Sequence, residues 1–138
     1  MRVILDTNIL LSALCARGGV TDAIVHAWLK NAYTLLTCEE QLDELRECFS
    51  RPSLVPARIR RHEAGRLINY LSDHGVFIAS LPSVSRSPDP NDDFLLALAE
   101  AGKADYLVTG DKAGLLPLGK HRGTRIISAR DFANTLRL

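Results

Sequence analysis

The sequence is poor in aromatic residues and cysteines and has no long apolar run. One tryptophan, three tyrosines and four phenylalanines in 138 residues leave little material for a platform on which nucleic-acid bases stack. Cys15, Cys38 and Cys48 are an odd number without CxxC spacing, which argues against a disulfide framework and a thiolate zinc site. No apolar stretch approaches the roughly 20 residues that cross a bilayer, so we expect no membrane partner.

The chain also lacks a large net charge, internal repeats and low-complexity segments. Its formal charge is +1, with 46% hydrophobic and 24% charged residues, which is typical of soluble globular proteins. A chain of this length buries about two-thirds of its unfolded surface, and we expect one domain over residues 1–138. Because a predicted strand opens the chain, we expect no signal peptide and a cytoplasmic location.

Short apolar segments alternate with segments of helical periodicity along the chain. Such alternation predicts an α/β fold, a three-layer α/β/α sandwich around a central, mostly parallel sheet of about five strands. Strands are predicted at residues 2–5, 33–37, 76–79, 105–108 and 125–127, and helices at residues 9–16, 21–30, 39–49, 56–74, 90–102 and 129–136.

Acidic residues lie just after two of the predicted strands. Asp6 comes after an apolar run and Asp111 comes after Val108, Thr109 and Gly110. Open α/β proteins place their ligands at the carboxyl edge of the sheet. Further acids lie on predicted helices, with Glu44 inside one and a cluster at 89–93 opening another. Carboxylates from separate elements suit Mg²⁺ or Mn²⁺ and therefore phosphodiester hydrolysis.

Each of these acids also has a purely structural interpretation. Asp6 and Asp111 suit the cap of a following helix or turn, and acids in the first turn of a helix, such as Glu40, are favoured by its dipole. Asp89 followed by Pro90 has the pattern of a helix cap. A single cap needs fewer acids than the cluster at 89–93 contains, so we expect part of that cluster to face a cation.

Four short motifs occur in an informative order. They are Leu-Asp-Thr-Asn at 5–8, Leu-Asp-Glu-Leu at 42–45, Asp-Pro-Asn-Asp-Asp at 89–93 and Leu-Val-Thr-Gly-Asp at 107–111. With these motifs the sequence resembles the PIN-domain nucleases, and more narrowly the toxin component of VapBC-like toxin–antitoxin pairs. The resemblance covers nearly the whole chain. Cys38 and Gln41 depart from it, since a small hydroxyl residue and an apolar residue are usual there.

This resemblance implies a PIN-like fold and a metal-dependent endoribonuclease. It also implies a small antitoxin protein as partner and a homodimer. Asp93 ranks ahead of Asp92 as a ligand, because its separation from Asp111 is the one such toxins tend to show; Glu40 is the alternative to Glu44. The implied catalytic and metal-binding set is Asp6, Glu44, Asp93 and Asp111 with Asp92 as a further ligand of Mg²⁺ or Mn²⁺, supported by Thr7, Asn8 and Thr109.

A basic stretch is the candidate RNA contact. Arg58, Arg61 and Arg66 lie on a predicted helix and Lys112 follows Asp111. Such residues contact phosphates or form an ordinary solvated helix face, and the sequence leaves both interpretations open. The four histidines show no ligand spacing, and we assign them no role.

Two other functions compete with the nuclease. Asp6 followed by Thr7 and Asn8 is similar to the start of an aspartyl phosphatase motif, but Asn8 occupies the place where that mechanism needs a second aspartate. The other alternative is a catalytically degenerate PIN-like module that binds RNA or a partner without cutting, against which the retained acids argue.

Overall fold

The computed structural model of the chain describes residues 1–51 and 61–138. Its strands are β1 (Arg2–Leu5), β2 (Thr34–Thr37), β3 (Val76–Phe77), β4 (Tyr106–Val108), β5 (Lys120–His121) and β6 (Thr124–Ile127). Its helices are α1 (Thr7–Cys15), α2 (Val20–Leu29), α3 (Glu39–Ser50), α4 (Arg61–His74), α5 (Asp93–Gly102) and α6 (Ala129–Thr135), with short 3₁₀ turns at Pro90–Asp92 and Leu116–Leu118.

The strands form one six-stranded sheet in the order β3-β2-β1-β4-β6-β5. All neighbouring pairs are parallel except β5 and β6, which are antiparallel. Strands β1 and β4 lie side by side near the middle, with Leu5 opposite Val108. The residues that directly follow these two strands therefore meet at the carboxyl edge of the sheet.

Side chains of the central strands alternate between two apolar layers. Val3 and Leu5 point into a core shared with α1, α2, α3, α4 and α6. Ile4 and Leu107 point into the opposite core, which is filled mainly by leucines and alanines of α5. Because both faces of the sheet are covered, the strands read as continuous apolar runs. The predicted α/β/α sandwich with a mostly parallel sheet is confirmed.

Helix starts and strand ends differ from the prediction where caps or neighbours decide them. Helix α1 begins at Thr7, two residues earlier than predicted, because Asp6 accepts a hydrogen bond from the backbone N–H of Asn8 and caps the helix. The predicted 90–102 helix is divided, since a 3₁₀ turn precedes α5. The first residues of the predicted 56–74 helix lie outside the described residues.

The fifth strand in chain order, β5, was not predicted from the sequence. Strand β5 contains only Lys120 and His121, which have no apolar alternation to indicate a strand. It pairs with β6 across a two-residue turn in which Arg122 is left-handed, with φ 51°. Among the described helices none is long and apolar enough to cross a membrane alone, although α1 and α2, bent by 103°, together reach the length and composition required.

Candidate active site

An open cleft of about 310 Å³ lies at the carboxyl edge of the sheet, where β1 and β4 end. Its lining combines three carboxylates with polar groups of α1 and the glycine that follows Thr109. The residues that line it are Asp6, Asn8, Ile9, Ser12, Asp92, Gly110 and Asp111. Three of the acids predicted from the sequence therefore share one cleft.

Asp6 is held at the floor of this cleft and is only 5% exposed. Its Oδ2 accepts a 2.7 Å hydrogen bond from the hydroxyl of Thr109, and its Oδ1 accepts a longer one, 3.4 Å, from the backbone N–H of Asn8. Burial raises the pKa of Asp6 above its usual value, and the nearby carboxylate of Asp111 adds to the rise. Asp6 both caps α1 and faces the cleft, so its interpretation as a helix cap is compatible with its interpretation as a metal ligand.

Asp111 is fixed by the turn that follows it. Its Oδ1 accepts a hydrogen bond of 2.9 Å from the N–H of Gly114, and its Oδ2 accepts one of 3.3 Å from the N–H of Leu115. Its own N–H donates to the hydroxyl of Thr109 at 3.0 Å. Thr109, which is fully buried, thus connects the two acids that follow β1 and β4.

Glu44 approaches the cleft from α3 and is half-buried. Burial is the main reason that its pKa is raised; the hydroxyl of Thr7 opposes the rise, and the charge of Asp6 adds to it. The Thr7 hydroxyl is buried and makes no hydrogen bond of ordinary geometry within the described residues. The alternative acid, Glu40, is exposed in the first turn of α3, where the helix dipole favours it.

Adjacent aspartates at the start of α5 have different surroundings. Asp92 lines the cleft, and its pKa is raised to about 6, first by burial and then by the charges of Asp6 and Asp89. Asp93 instead turns toward the preceding loop, where its Oδ1 accepts from the N–H groups of Arg86 at 3.0 Å and Ser87 at 2.7 Å. The geometry therefore favours Asp92 over Asp93 as a ligand, contrary to the expected order.

The third acid of this cluster has the structural role that its sequence indicated. Asp89 accepts a 3.0 Å hydrogen bond from the N–H of Asn91 and caps the 3₁₀ turn that begins at Pro90. Its charge still raises the pKa of both Asp92 and Glu44. It adds negative potential to the cleft while serving as a cap.

The donor chemistry fits a hard divalent cation. Asp6, Glu44, Asp92 and Asp111 come from four different elements and supply oxygen ligands only. Burial and then the charges of the other three acids raise the pKa of Asp92. Within residues 1–51 and 61–138, however, no three acids, histidines or cysteines stand close enough to enclose an ion directly. Mg²⁺ usually keeps several of its water ligands in proteins, so carboxylates can hold it through water as well as directly.

Comparison with known proteins identifies the family. Residues 2–113 match the PIN domain family. The chain belongs to the PIN domain family. Its fold is similar to a chain in the crystal structure of VapBC2 from Rickettsia felis bound to a DNA fragment from their promoter, with a TM-score of 0.61 and 18% identity over 93% of this chain and 98% of that one. No protein of curated function matches the chain.

The predicted RNA contacts are only partly placed in this PIN domain. Arg66 is exposed on α4, and Lys112 is exposed in the turn that follows Asp111. Arg58 and the side chain of Arg61 lie outside the described residues. RNA contact by these basic residues therefore stays a prediction. Of the four, Lys112 is the one that directly follows an acid of the cleft.

Three residues near the cleft had no predicted role. Ser12 lines the cleft one helical turn after Asn8, a spacing visible in the sequence. Gly114 approaches the Asp111 carboxylate so closely that a Cβ would lie 2.1 Å from Oδ2. Gln41 is buried in α3, and its polarity at an expected apolar position was the only sign of it.

Proposed function

We propose that this PIN domain is a metal-dependent endoribonuclease that hydrolyses phosphodiester bonds in RNA and is the toxin of a toxin–antitoxin pair. The observation that carries the proposal is the meeting of acids from four elements around one cleft, with Asp6, Asp92 and Asp111 lining it and Glu44 close enough to interact with Asp6. Four carboxylates repel an RNA phosphate until a cation offsets their charge, which makes metal dependence the expected behaviour.

Asp6, Glu44, Asp92 and Asp111 are the residues that would hold Mg²⁺ or Mn²⁺. When bound, such an ion activates a water and stabilises negative charge on the phosphoryl oxygens. The chain contributes orientation: Thr109 fixes the Asp6 carboxylate, and the N–H groups of Gly114 and Leu115 fix that of Asp111. Asn8 and Ser12 present polar groups along the open wall of the cleft, where a nucleotide would lie.

A small antitoxin protein is the proposed partner. Similarity in fold to a chain of a VapBC2 complex supports this part of the proposal. The homodimer and the cytoplasmic location expected from the resemblance belong to the same proposal. Co-expression with the product of a neighbouring small gene, followed by copurification and loss of RNA cleavage, tests the partner directly.

Cleavage of a generic RNA with and without metal tests the enzymatic part. The wild type should cut RNA with Mg²⁺ or Mn²⁺ and stop in excess chelator. Asp6→Asn and Glu44→Gln should abolish cleavage, and the metal-free melting temperature of Asp6→Asn should be unchanged or slightly raised, because a buried charge is removed.

Asp43→Asn is the matched control for Glu44→Gln. Asp43 is the neighbouring acid of α3, is exposed and pairs with Arg46 at 3.2 Å, so its loss should leave cleavage intact. RNA binding by the wild type without any metal-dependent cleavage would instead indicate the degenerate binding module and sink the nuclease proposal.

A further inference from the structure

The side chain of Gln41 is a buried amide that connects a helix to two strands. It belongs to α3 and is 1% exposed. Its Nε2 donates a 2.7 Å hydrogen bond to the carbonyl of Leu5, and its Oε1 accepts a 2.8 Å hydrogen bond from the hydroxyl of Thr37. A buried polar side chain is costly unless it is hydrogen-bonded in this way.

The two partners of Gln41 occupy equivalent places in the sheet. Leu5 ends β1 and Thr37 ends β2. The ladder between these strands pairs Arg2 with Thr34 and Val3 with Leu35, and Gln41 bridges the strands beyond it. The side chain therefore joins α3 to the carboxyl edge of the sheet, where the cleft lies.

Two acids of the cleft lie next to this bridge, one along the chain and one along the helix. Asp6 directly follows Leu5, and Glu44 lies three residues after Gln41 on the same side of α3. Burial raises the pKa of Glu44 and the charge of Asp6 adds to the rise, so the two carboxylates repel each other. The Gln41 amide joins the strand end that precedes Asp6 to the helix that carries Glu44, and it adds no charge to the cleft.

We propose that Gln41 is a positioning residue: its two hydrogen bonds hold α3 against the ends of β1 and β2, and so set the separation of Asp6 and Glu44 at which a divalent cation binds. The proposal rests on the proposed function of the cleft. An apolar residue at position 41 would fill the same space and leave the Leu5 carbonyl and the Thr37 hydroxyl without this partner.

Calorimetric titration of the metal-free protein with MnCl₂ tests this role apart from activity. Gln41→Met keeps the length of the side chain and removes both hydrogen bonds. It should raise the Kd for Mn²⁺ about tenfold, which is within what the loss of two neutral buried hydrogen bonds can cost. Tyr33→Phe is the control, because Tyr33 also makes a buried 2.7 Å hydrogen bond, to the carbonyl of Ile24 on α2. It should lower the melting temperature and leave the Kd within about twofold.

A second pair of variants covers a loss of folding in Gln41→Met. Thr37→Val removes the hydroxyl that donates to Gln41 and should raise the Kd, whereas Thr37→Ser keeps the hydroxyl and should retain the wild-type Kd. An unchanged Kd in folded Gln41→Met, or in Thr37→Val, overturns the proposal, as does an equal rise in Tyr33→Phe. Wild-type protein that binds Mn²⁺ but cuts no RNA refutes the endoribonuclease alone, and wild-type protein that binds no Mn²⁺ refutes both.

Discussion

Thr109 donates a 2.7 Å hydrogen bond to the Asp6 carboxylate although 103 residues separate them in the chain. The two residues follow neighbouring strands, β4 and β1. Thr109 also accepts from the N–H of Asp111, so one buried hydroxyl orients two acids of the cleft. Loss of the Thr109 hydroxyl should therefore disturb both acids of the cleft.

Thr109→Val should raise the Kd for Mn²⁺ about tenfold, because a hydrogen bond to a charged group contributes about 1.5 kcal/mol and its loss leaves Asp6 poorly oriented. Thr109→Ser should restore the wild-type Kd. Calorimetric titration with MnCl₂ measures both. Thr124→Val is the control, since Thr124 makes an equally short buried hydrogen bond to the carbonyl of Ala104; an equal effect there would contradict the prediction.

The adjacent aspartates should separate into a metal ligand and a loop anchor. Asp92→Asn should weaken Mn²⁺ binding more than Asp93→Asn, because Asp92 lines the cleft. Asp93→Ala should instead lower stability by about 1 kcal/mol, since the N–H groups of Arg86 and Ser87 lose their acceptor. Titration and urea unfolding of all three variants decide the order, and stronger loss of metal in Asp93→Asn would restore the expectation from spacing.

Metal-free stability should depend on pH through Asp92. Burial and the neighbouring acids raise its pKa from 3.8 to about 6, so the folded state binds more protons than the unfolded state between these values. The stability contributed by the protonated form is complete below about pH 4 and is lost as pH rises toward 6. Urea unfolding at several pH values should show this fall.

Two comparisons isolate the contribution of Asp92 to this pH dependence. The Asp92→Asn variant should show a smaller fall in stability, because it lacks the Asp92 carboxyl group. A smaller fall remains, because the raised pKa values of Asp6 and Glu44 act in the same direction in both proteins. In the wild type, Mn²⁺ affinity should decline below pH 6 as protons compete for the carboxylate. Identical pH profiles for wild type and Asp92→Asn would count against the assignment.

Gly114→Ala should displace the Asp111 carboxylate and weaken Mn²⁺ binding. The added Cβ would lie 2.1 Å from Oδ2 and 2.9 Å from Cγ of Asp111, which is closer than atoms pack. Gly65→Ala is the control, because a Cβ there meets nothing within 4 Å and alanine suits a helix better than glycine by about 1 kcal/mol. It should be stabilised with an unchanged Kd; wild-type Mn²⁺ affinity in Gly114→Ala would contradict the prediction.

RNA contacts should show in the salt dependence of binding. Changing Arg58, Arg61 and Arg66 together to Gln should flatten the slope of log affinity against log salt by up to about two units, since each phosphate contact on a single strand contributes about 0.7. Lys103→Gln is the control, because Lys103 ends α5 at the opposite edge of the sheet. An unchanged slope in the arginine variant would contradict phosphate contact by these arginines and would favour contact near Lys112.

Sequence pattern alone determined the layers of the fold and the edge at which the acids gather. Short continuous apolar runs such as Val3 to Leu5, in alternation with helical segments, indicate strands covered on both faces. A parallel sheet brings the residues that follow its strands to one edge. Asp6 and Asp111 were therefore placed together without any structure. Strand β5 was not predicted, because Lys120 and His121 owe their conformation to pairing with β6 and to the turn at Arg122.

Tertiary structure alone decided which acids face the cleft and what holds them there. Asp92 and Asp93 are chemically identical neighbours, and successive residues of a helix differ by about 100° in direction, so their roles depend on how the 3₁₀ turn at Pro90–Asp92 enters α5. Gln41 joins α3 to the end of β1, which lies far away in the chain. Gly114 approaches Asp111 within the turn that follows β4. No local pattern encodes such contacts, because they form only when the strand ends, α3 and the turn after β4 are packed together.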